Sequence, residues 1–116
     1  MKLLLALAFA AFAAVQAPTV YEPGGGVSLP QVVSEVKAEY TSEAMQNRIE
    51  GKVGLETVVL SDGMVGDVKV VESLDAIYGL DANAVKAMKQ WTFKPGMKDG
   101  KAVAVRVHVM MNFTLK

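Results

Sequence analysis

The sequence predicts an α+β domain in which two helices pack on a three-stranded antiparallel sheet. Three patterns support this prediction: two segments with apolar residues at helical spacing, two apolar segments joined by an Asp-Gly turn, and a long final segment of alternating apolar and polar residues. The chain has 116 residues, of which 52% are hydrophobic, and a formal net charge of zero. Such a chain is long enough for one domain with a modest core.

Residues 1–13 are predicted to be a secretory signal peptide. Lys2 is followed by an apolar run from Leu3 to Val15, which is shorter than the ~20 residues that a comfortable membrane span needs. The small residues Ala11 and Ala13 favour cleavage after Ala13. If the segment is retained instead, we expect it to act as a membrane anchor; a buried core helix is the remaining alternative.

Residues 14–31 are predicted to be a linker between this segment and a domain that occupies residues 32–116. They contain three prolines and the triplet Gly24-Gly25-Gly26. Because proline removes backbone donors and glycine increases backbone freedom, we expect a flexible tether with a reach of roughly 20 Å.

The domain is predicted to begin with an extended segment and a short helix. Valines support an extended conformation over residues 32–40. A helix is expected over residues 41–50, capped by Thr41 or Ser42 and stopped by Gly51 in a left-handed conformation. Two apolar residues one turn apart form its expected inward face: Met45 and Ile49.

Two strands over residues 52–60 and 65–73 are predicted to form an antiparallel hairpin. The turn between them, Ser61-Asp62-Gly63-Met64, has glycine at the position that tolerates positive φ. Alternation along both strands predicts which side chains face the core. These are Val53, Leu55, Thr57, Val59, Val68 and Val70.

A second helix is predicted to begin at Leu80 and Asp81, interpreted as hydrophobic staple and N-cap, and to end near Trp91. Phe93 and Pro95 then lead the chain away, because proline cannot continue a helix. We expect Trp91 to hold this helix on the sheet rather than to bind a ligand. The inward stripe of the helix is Ala84, Ala87, Met88 and Trp91.

The segment over residues 103–115 is predicted to be one long strand of roughly 40 Å. A strand that outruns its partners, or lies at a sheet edge, leaves backbone groups free to pair with another chain. Its inward residues are Val103, Val105, Val107, Val109, Met111, Phe113 and Leu115. Its outward residues are Ala104, Arg106, His108, Met110, Asn112, Thr114 and Lys116.

Catalytic chemistry is absent from these patterns. The chain has no cysteine, which excludes disulfides, thiol nucleophiles and thiolate metal sites. The single histidine, His108, has no carboxylate or second imidazole at metal-ligand spacing, and the serines and glycines fit neither a nucleophile elbow nor a phosphate loop. The balanced charge offers no surface for nucleic acid. We therefore expect neither an enzyme nor a protein that binds a cofactor, a metal or nucleic acid.

The order of helix, hairpin, helix, Trp-x-Phe-x-Pro and final strand resembles the C-terminal domain of TonB-type energy transducers. The resemblance covers residues 39–116, about two-thirds of the chain. The motifs that carry it are Ile49-Glu-Gly-Lys-Val53, Leu60-Ser-Asp-Gly-Met-Val65, Leu80-Asp-Ala-Asn-Ala-Val85 and Gln90-Trp-Thr-Phe-Lys-Pro95.

This resemblance implies a periplasmic binding module in energy-coupled transport across the outer membrane. In the family, the amino-terminal box of an outer-membrane receptor is added as a strand beside the last strand, with help from the segment before the first helix. Inner-membrane motor subunits, reached through another protein, and a second copy paired at the same edge are further partners to expect. The matching candidate contacts are Lys37, Ala38, Glu39, Tyr40, Val103, Val105, Arg106, Val107, His108, Val109, Met110, Met111 and Phe113.

Two departures from the family pattern leave an alternative open. Tyr40 is followed by Thr41 where the family has Tyr-Pro, and no clear membrane helix or long Pro-rich spacer precedes the domain. The sequence thus favours binding over force transmission. The alternative is a stand-alone periplasmic interaction or envelope-structural protein that uses the same strand edge.

Overall fold

The computed structural model describes residues 19–116, and the expected signal peptide lies outside these residues. Within them, no helix is long and apolar enough to cross a membrane. The elements in chain order are β1 (Val20–Tyr21), β2 (Gln31–Ser34), α1 (Ser42–Gln46), β3 (Gly51–Val59), β4 (Val65–Glu72), α2 (Leu80–Met88), β5 (Thr92–Lys94), β6 (Gly96–Lys98) and β7 (Lys101–Phe113).

The main sheet is larger than the predicted three strands. The three predicted strands are present as antiparallel β4, β3 and β7, but β1 joins β7 in parallel and β6 joins it antiparallel, which makes five strands. A separate two-stranded sheet consists of β2 and β5. β6 pairs with residues 101–103 of β7, which lie beyond the end of β3, and β1 pairs on the side of β7 away from β3.

The described part of the predicted linker is paired with the domain rather than free. Val27 is buried, the Ser28 amide donates to the Met97 carbonyl at 3.0 Å, and β1 lies on β7. The three glycines at 24–26 all have positive φ, so they form a turn instead of a flexible tether.

The hairpin of β3 and β4 forms as predicted. Val53, Leu55, Thr57 and Val59 are all at most 3% exposed, which confirms the inward face of β3. Gly63 has a φ of 86°, and a Cβ atom there would lie 2.2 Å from the Phe93 carbonyl oxygen. Glycine is therefore required both by the turn and by the close approach of the crossover.

Helix α1 is shorter than predicted and presents a different face. The Thr41 hydroxyl accepts from the Ala44 amide at 3.1 Å, which confirms the cap. The helix ends before Arg48, which takes a positive φ of 55°, whereas Gly51 already belongs to β3. Ala44 faces the core, and Met45 is 46% exposed, because five residues make too short a helix for the predicted pair to share one face.

Helix α2 buries its predicted stripe of Ala84, Ala87 and Met88 but is capped differently. Its N-cap is Gly79 in a left-handed conformation. The Leu80 amide instead donates to the Asp75 carboxylate at 3.2 Å. Because the N-cap residue has no side chain, the preceding loop supplies the acceptor.

Asp81 holds this loop instead of capping the helix. Its carboxylate accepts from the Ser73 hydroxyl and from the amides of Leu74 and Asp75, both at 2.9 Å. Burial alone would raise the pKa of Asp81, but these three hydrogen bonds lower it below its usual value. The ionised carboxylate therefore stabilises the fold.

Trp91 follows the end of α2 and connects three parts of the fold. The side chain is 8% exposed, and its ring centroid lies 6.1 Å from that of Phe93. Its Nε1 donates to the Val36 carbonyl at 2.9 Å. This hydrogen bond fixes the segment before α1 against the core, so packing and a specific polar contact act together.

We expect two substitutions of Trp91 to separate these contributions. Trp91→Ala should cost about 3–5 kcal/mol of unfolding free energy, because it removes a large buried side chain. Trp91→Phe should cost about 1–3 kcal/mol, chiefly because it leaves the Val36 carbonyl unpaired. Urea unfolding followed by circular dichroism measures both values. Nearly full stability of the alanine variant would contradict the packing role.

A second prediction concerns Asp81 and pH. Since its folded pKa lies below the unfolded value of 3.8, its stabilisation is complete above that pH and is lost as the pH falls through the folded pKa. Wild type should therefore lose more stability between about pH 6 and about pH 2.5 than Asp81→Asn does. Asp67→Asn, at an exposed carboxylate of β4, is the control that should follow wild type. Parallel pH profiles for wild type and Asp81→Asn would show that this carboxylate is not ionised in a stabilising role.

Candidate functional site

One side of β7 is only partly occupied. Toward β3 it is paired from Val105 opposite Val59 to Phe113 opposite Gly51. Residues 101–103 pair with β6, and on the side of β7 away from β3, β1 pairs with residues 104 and 105. Within residues 19–116, no strand pairs with the remaining stretch, residues 106–113, on this side. We call this stretch the open edge; it is roughly 26 Å long at about 3.3 Å per residue.

Side chains of the open edge alternate between the core and the outer face. Val107, Met111 and Phe113 are buried, and Val109 is half-buried. Arg106, His108 and Met110 lie on the outer face, where Met110 is 47% exposed. The core-facing residues fix the position of the strand, so its backbone edge is held rigidly.

A groove of about 430 Å³ lies beside the open edge. Met110, Met111 and Asn112 form one wall, residues 35–38 form the opposite wall, and Trp91 contributes to the lining. The groove therefore joins the two segments that sequence analysis predicted as contacts. Its volume suits side chains of an added peptide, since one side is a strand edge and the other an extended segment.

Two of the predicted contact residues support the groove wall from behind. The Tyr40 ring packs edge-on against Phe113 at 5.4 Å, and its hydroxyl donates to the Ile49 carbonyl. Burial, followed by repulsion from Glu50, raises the pKa of Tyr40, so the hydroxyl remains a proton donor. The Glu39 carbonyl accepts from the Asn83 side chain at 2.8 Å. These contacts position residues 37 and 38 at the groove.

Charged groups on the outer face of β7 neutralise one another. Arg106 Nε donates to Glu22 at 2.8 Å and its Nη1 donates to Glu56 at 3.2 Å. His108 Nε2 lies 3.1 Å from the other oxygen of Glu56. Desolvation alone would raise the pKa of Glu56, but the hydrogen bond from His108 and the nearby positive charges lower it. With its charges paired, the edge favours recognition through backbone groups and apolar side chains.

The groove contains some of the candidate contact residues from the sequence and some residues that the sequence did not indicate. Of the candidate contact residues, Lys37, Ala38, Met110 and Met111 line the groove, while Val103 is paired with Gly96 of β6 and Val105 with Tyr21 of β1. The sequence predicts that Trp91 packs in the core and does not predict that it lines the groove. The apolar stripe of the helix indicates that the side chain faces inward, but its position beside β7 depends on how the strands are arranged. The other groove residues missed from the sequence are Glu35, Val36 and Asn112.

Two further features of the described residues bear on binding chemistry. No group of three His, Asp or Glu side chains within residues 19–116 is arranged to hold a metal ion. A smaller cleft of about 180 Å³ lies between residues 36–39 and α2, away from the open edge, and is lined mostly by polar side chains of both segments.

Comparison with known proteins identifies the same fold. Residues 36–115 match the family described as Gram-negative bacterial TonB protein C-terminal. The solution structure of the Pseudomonas aeruginosa TonB C-terminal domain superposes with a TM-score of 0.61 at 25% identity, covering 87% of this chain and 97% of that one.

Curated relatives agree over the same region. Protein TonB of Vibrio cholerae is 34% identical over 91 residues, or 78% of this chain and 37% of that protein. The tonB2 protein of Pseudomonas aeruginosa is 38% identical over 77 residues, or 66% of this chain and 28% of that protein. The chain thus spans between 28% and 37% of the length of these relatives. Since the family match covers most of the chain, the protein belongs to the family of Gram-negative bacterial TonB C-terminal domains.

Proposed function

We propose that this protein is a periplasmic module that binds the amino-terminal segment of an outer-membrane receptor by strand addition at the open edge of β7. It acts in TonB-type, energy-coupled transport, and residues 1–13 direct it across the inner membrane. The observation that carries the proposal is the unpaired stretch of residues 106–113 beside the groove. Family membership supplies the class of partner.

The backbone of β7 supports strand addition over side-chain recognition. In an antiparallel pair, successive residues point their amides alternately toward and away from the partner strand. Pairing with β3 therefore satisfies half of the backbone groups of residues 106–113 and directs the other half outward. An extended peptide satisfies these groups, which gives affinity without a specific sequence.

The groove adds selectivity to this backbone pairing. Alternate side chains of an added strand point to one face, where the groove between Met110 and residues 35–38 receives them. Trp91 and Met111 form an apolar lining, and the nearby Arg106 is already paired with two glutamates. We therefore expect a partner with apolar residues at alternate positions and little dependence of binding on charge.

The same edge also accepts a second copy of this chain, because unpaired strands add to any compatible strand. A stand-alone envelope protein would use the edge in this way. Sedimentation velocity separates the two roles: concentration-dependent dimers that receptor peptides fail to dissociate favour self-pairing. Motor subunits of the inner membrane would be contacted through another protein in the transport role.

We expect peptides that copy receptor amino-terminal segments to shift the amide signals of residues 106–113 in NMR spectra of the labelled protein. Residues 65–72, on the opposite edge of the sheet, serve as the internal control. N-methylation at successive peptide positions should weaken binding at every second position, because only alternate peptide amides face β7. Shifts confined to β4, or no shifts at all, would refute docking at this edge.

Met110→Ala tests the contribution of the groove. This variant should weaken peptide binding about three- to tenfold, since it removes an apolar contact of the order of 1 kcal/mol. Its melting temperature should change little, because the side chain is 47% exposed. The matched control is Met64→Ala, at a methionine that is 49% exposed in the β3–β4 turn. Equal peptide affinity for both variants would remove the groove from the binding site.

A further inference from the structure

A segment of the chain itself is already paired with part of β7, next to the open edge. Val20 is paired with Ala104, and Tyr21 with Val105, in a parallel arrangement. These two residues of β1 occupy the side of β7 that is otherwise open from residue 106 onward. We call residues 19–28 the strap.

The far end of the strap is fixed on the hairpin of β6 and β7. Val27 is 8% exposed and forms an isolated bridge with Lys98. The Ser28 amide donates to the Met97 carbonyl at 3.0 Å, and the Met97 amide donates to the Ser28 hydroxyl at 2.8 Å. A Cβ atom on Gly96 would lie 2.6 Å from the Ser28 carbonyl oxygen, so the two backbones are in close contact. These contacts attach the carboxy-terminal end of the strap, Val27 and Ser28, to β6.

A glycine turn directs the strap back along β7. The Gly24 and Val27 backbones exchange hydrogen bonds of 3.0 and 3.1 Å, which closes the turn. Residues 24, 25 and 26 have φ values of 98°, 60° and 91°, and a Cβ atom on any of them would meet open space. Glycine is required here by backbone conformation alone, since side chains rarely adopt these angles.

Two side-chain contacts hold the amino-terminal part of the strap. Glu22 accepts from Arg106 Nε at 2.8 Å, at the first residue of the open edge. The Lys98 ammonium lies 5.9 Å from the centroid of the Tyr21 ring. Glu22 is well exposed, and exposed ion pairs contribute little, so the pairing of β1 is weaker than its attachment at Val27. The strap is thus built to open at one end.

We propose that the strap is an intramolecular competitor that covers the amino-terminal part of the docking strand and is displaced when a longer partner strand binds. This inference rests on the proposed function. A partner strand that extends past residue 106 meets β1 on the same side of β7 and the Glu22 carboxylate beside Arg106. Because two strands cannot occupy one edge, the affinity of a long partner is reduced by the fraction of molecules with the strap closed.

Replacing Gly24, Gly25 and Gly26 together by alanine is the principal test. The substitution strains the turn without adding a clash and changes no residue of β7. Hydrogen exchange should show protection of the outward-facing amides of residues 104–106 in wild type and its loss in the triple variant. Circular dichroism should show an unchanged fold. Equal exchange of these amides in both proteins would overturn the proposal.

Peptide binding measures the competition itself. A receptor-segment peptide long enough to span residues 103–113 should bind the triple variant about three- to tenfold more tightly than wild type, because the strap no longer holds part of the population closed. A peptide limited to the open edge should gain less. An unchanged affinity for the long peptide would refute competition.

Glu22→Gln is a second, milder substitution that should also release the strap from β7. It removes the ion pair with Arg106 and should tighten binding of the long peptide about twofold. Glu43→Gln, at an exposed glutamate of α1, is the matched control and should bind as wild type does. Equal affinities of the Glu22 variant and this control would count against the role of the ion pair in holding the strap.

The experiments distinguish failure of this inference from failure of the proposed function. If no receptor peptide binds either protein, the proposed function and the competition both fall. Loss of amide protection in the triple variant would then still establish the strap as a paired segment. If peptides bind both proteins equally, the docking function stands and the competitive strap is refuted.

Discussion

Backbone pairing along β7 is the constraint on which the rest of the structure depends. This strand has thirteen residues, whereas β3 has nine, so β3 covers one side of it from residue 105 onward. Residues 101–103 pair with β6, and the side away from β3 carries β1 at residues 104 and 105 and then the open edge. Backbone groups that are buried or partly buried need hydrogen-bond partners. Pairing with β3, β6 and β1 supplies these partners within the sheet, whereas the open edge has no partner strand within residues 19–116.

The same side chains that stabilise this arrangement also shape the site. Trp91 packs beside Phe93, donates to the Val36 carbonyl and lines the groove next to Met111. The extended wall of the groove is thereby tied to the core through one indole. Displacement of residues 35–38 would break the hydrogen bond between the Trp91 indole and the Val36 carbonyl, so the position of this wall depends on the packing of Trp91 in the core.

Local patterns in the sequence predicted the hairpin, the stripe of α2 and the long final strand, because each depends on alternation or helical spacing within a few residues. The sheet of five strands was not predicted, since the pairing of Val20 with Ala104 joins residues far apart in sequence and leaves no periodic signal. Gly24, Gly25 and Gly26 suggested flexibility, whereas the structure uses their positive φ values to form a turn. Asp81 looked like a cap because of its position, but the donors nearest to it come from the preceding loop. The groove shows the same difference. Its residues on one strand could be inferred from alternation along that strand, but the approach of residues 35–38 to residues 110–112 depends on the three-dimensional fold.

The central claim is that residues 106–113 offer unpaired backbone groups to a partner strand. Residue-resolved hydrogen exchange of β7, with and without a receptor-derived peptide, tests it most directly. Pairing with β3 on one side predicts alternating fast and slow amides across these residues in the free protein, and protection of the fast set when the peptide binds. Uniformly slow amides in the free protein, or bound peptide that leaves the fast set unprotected, would contradict the account.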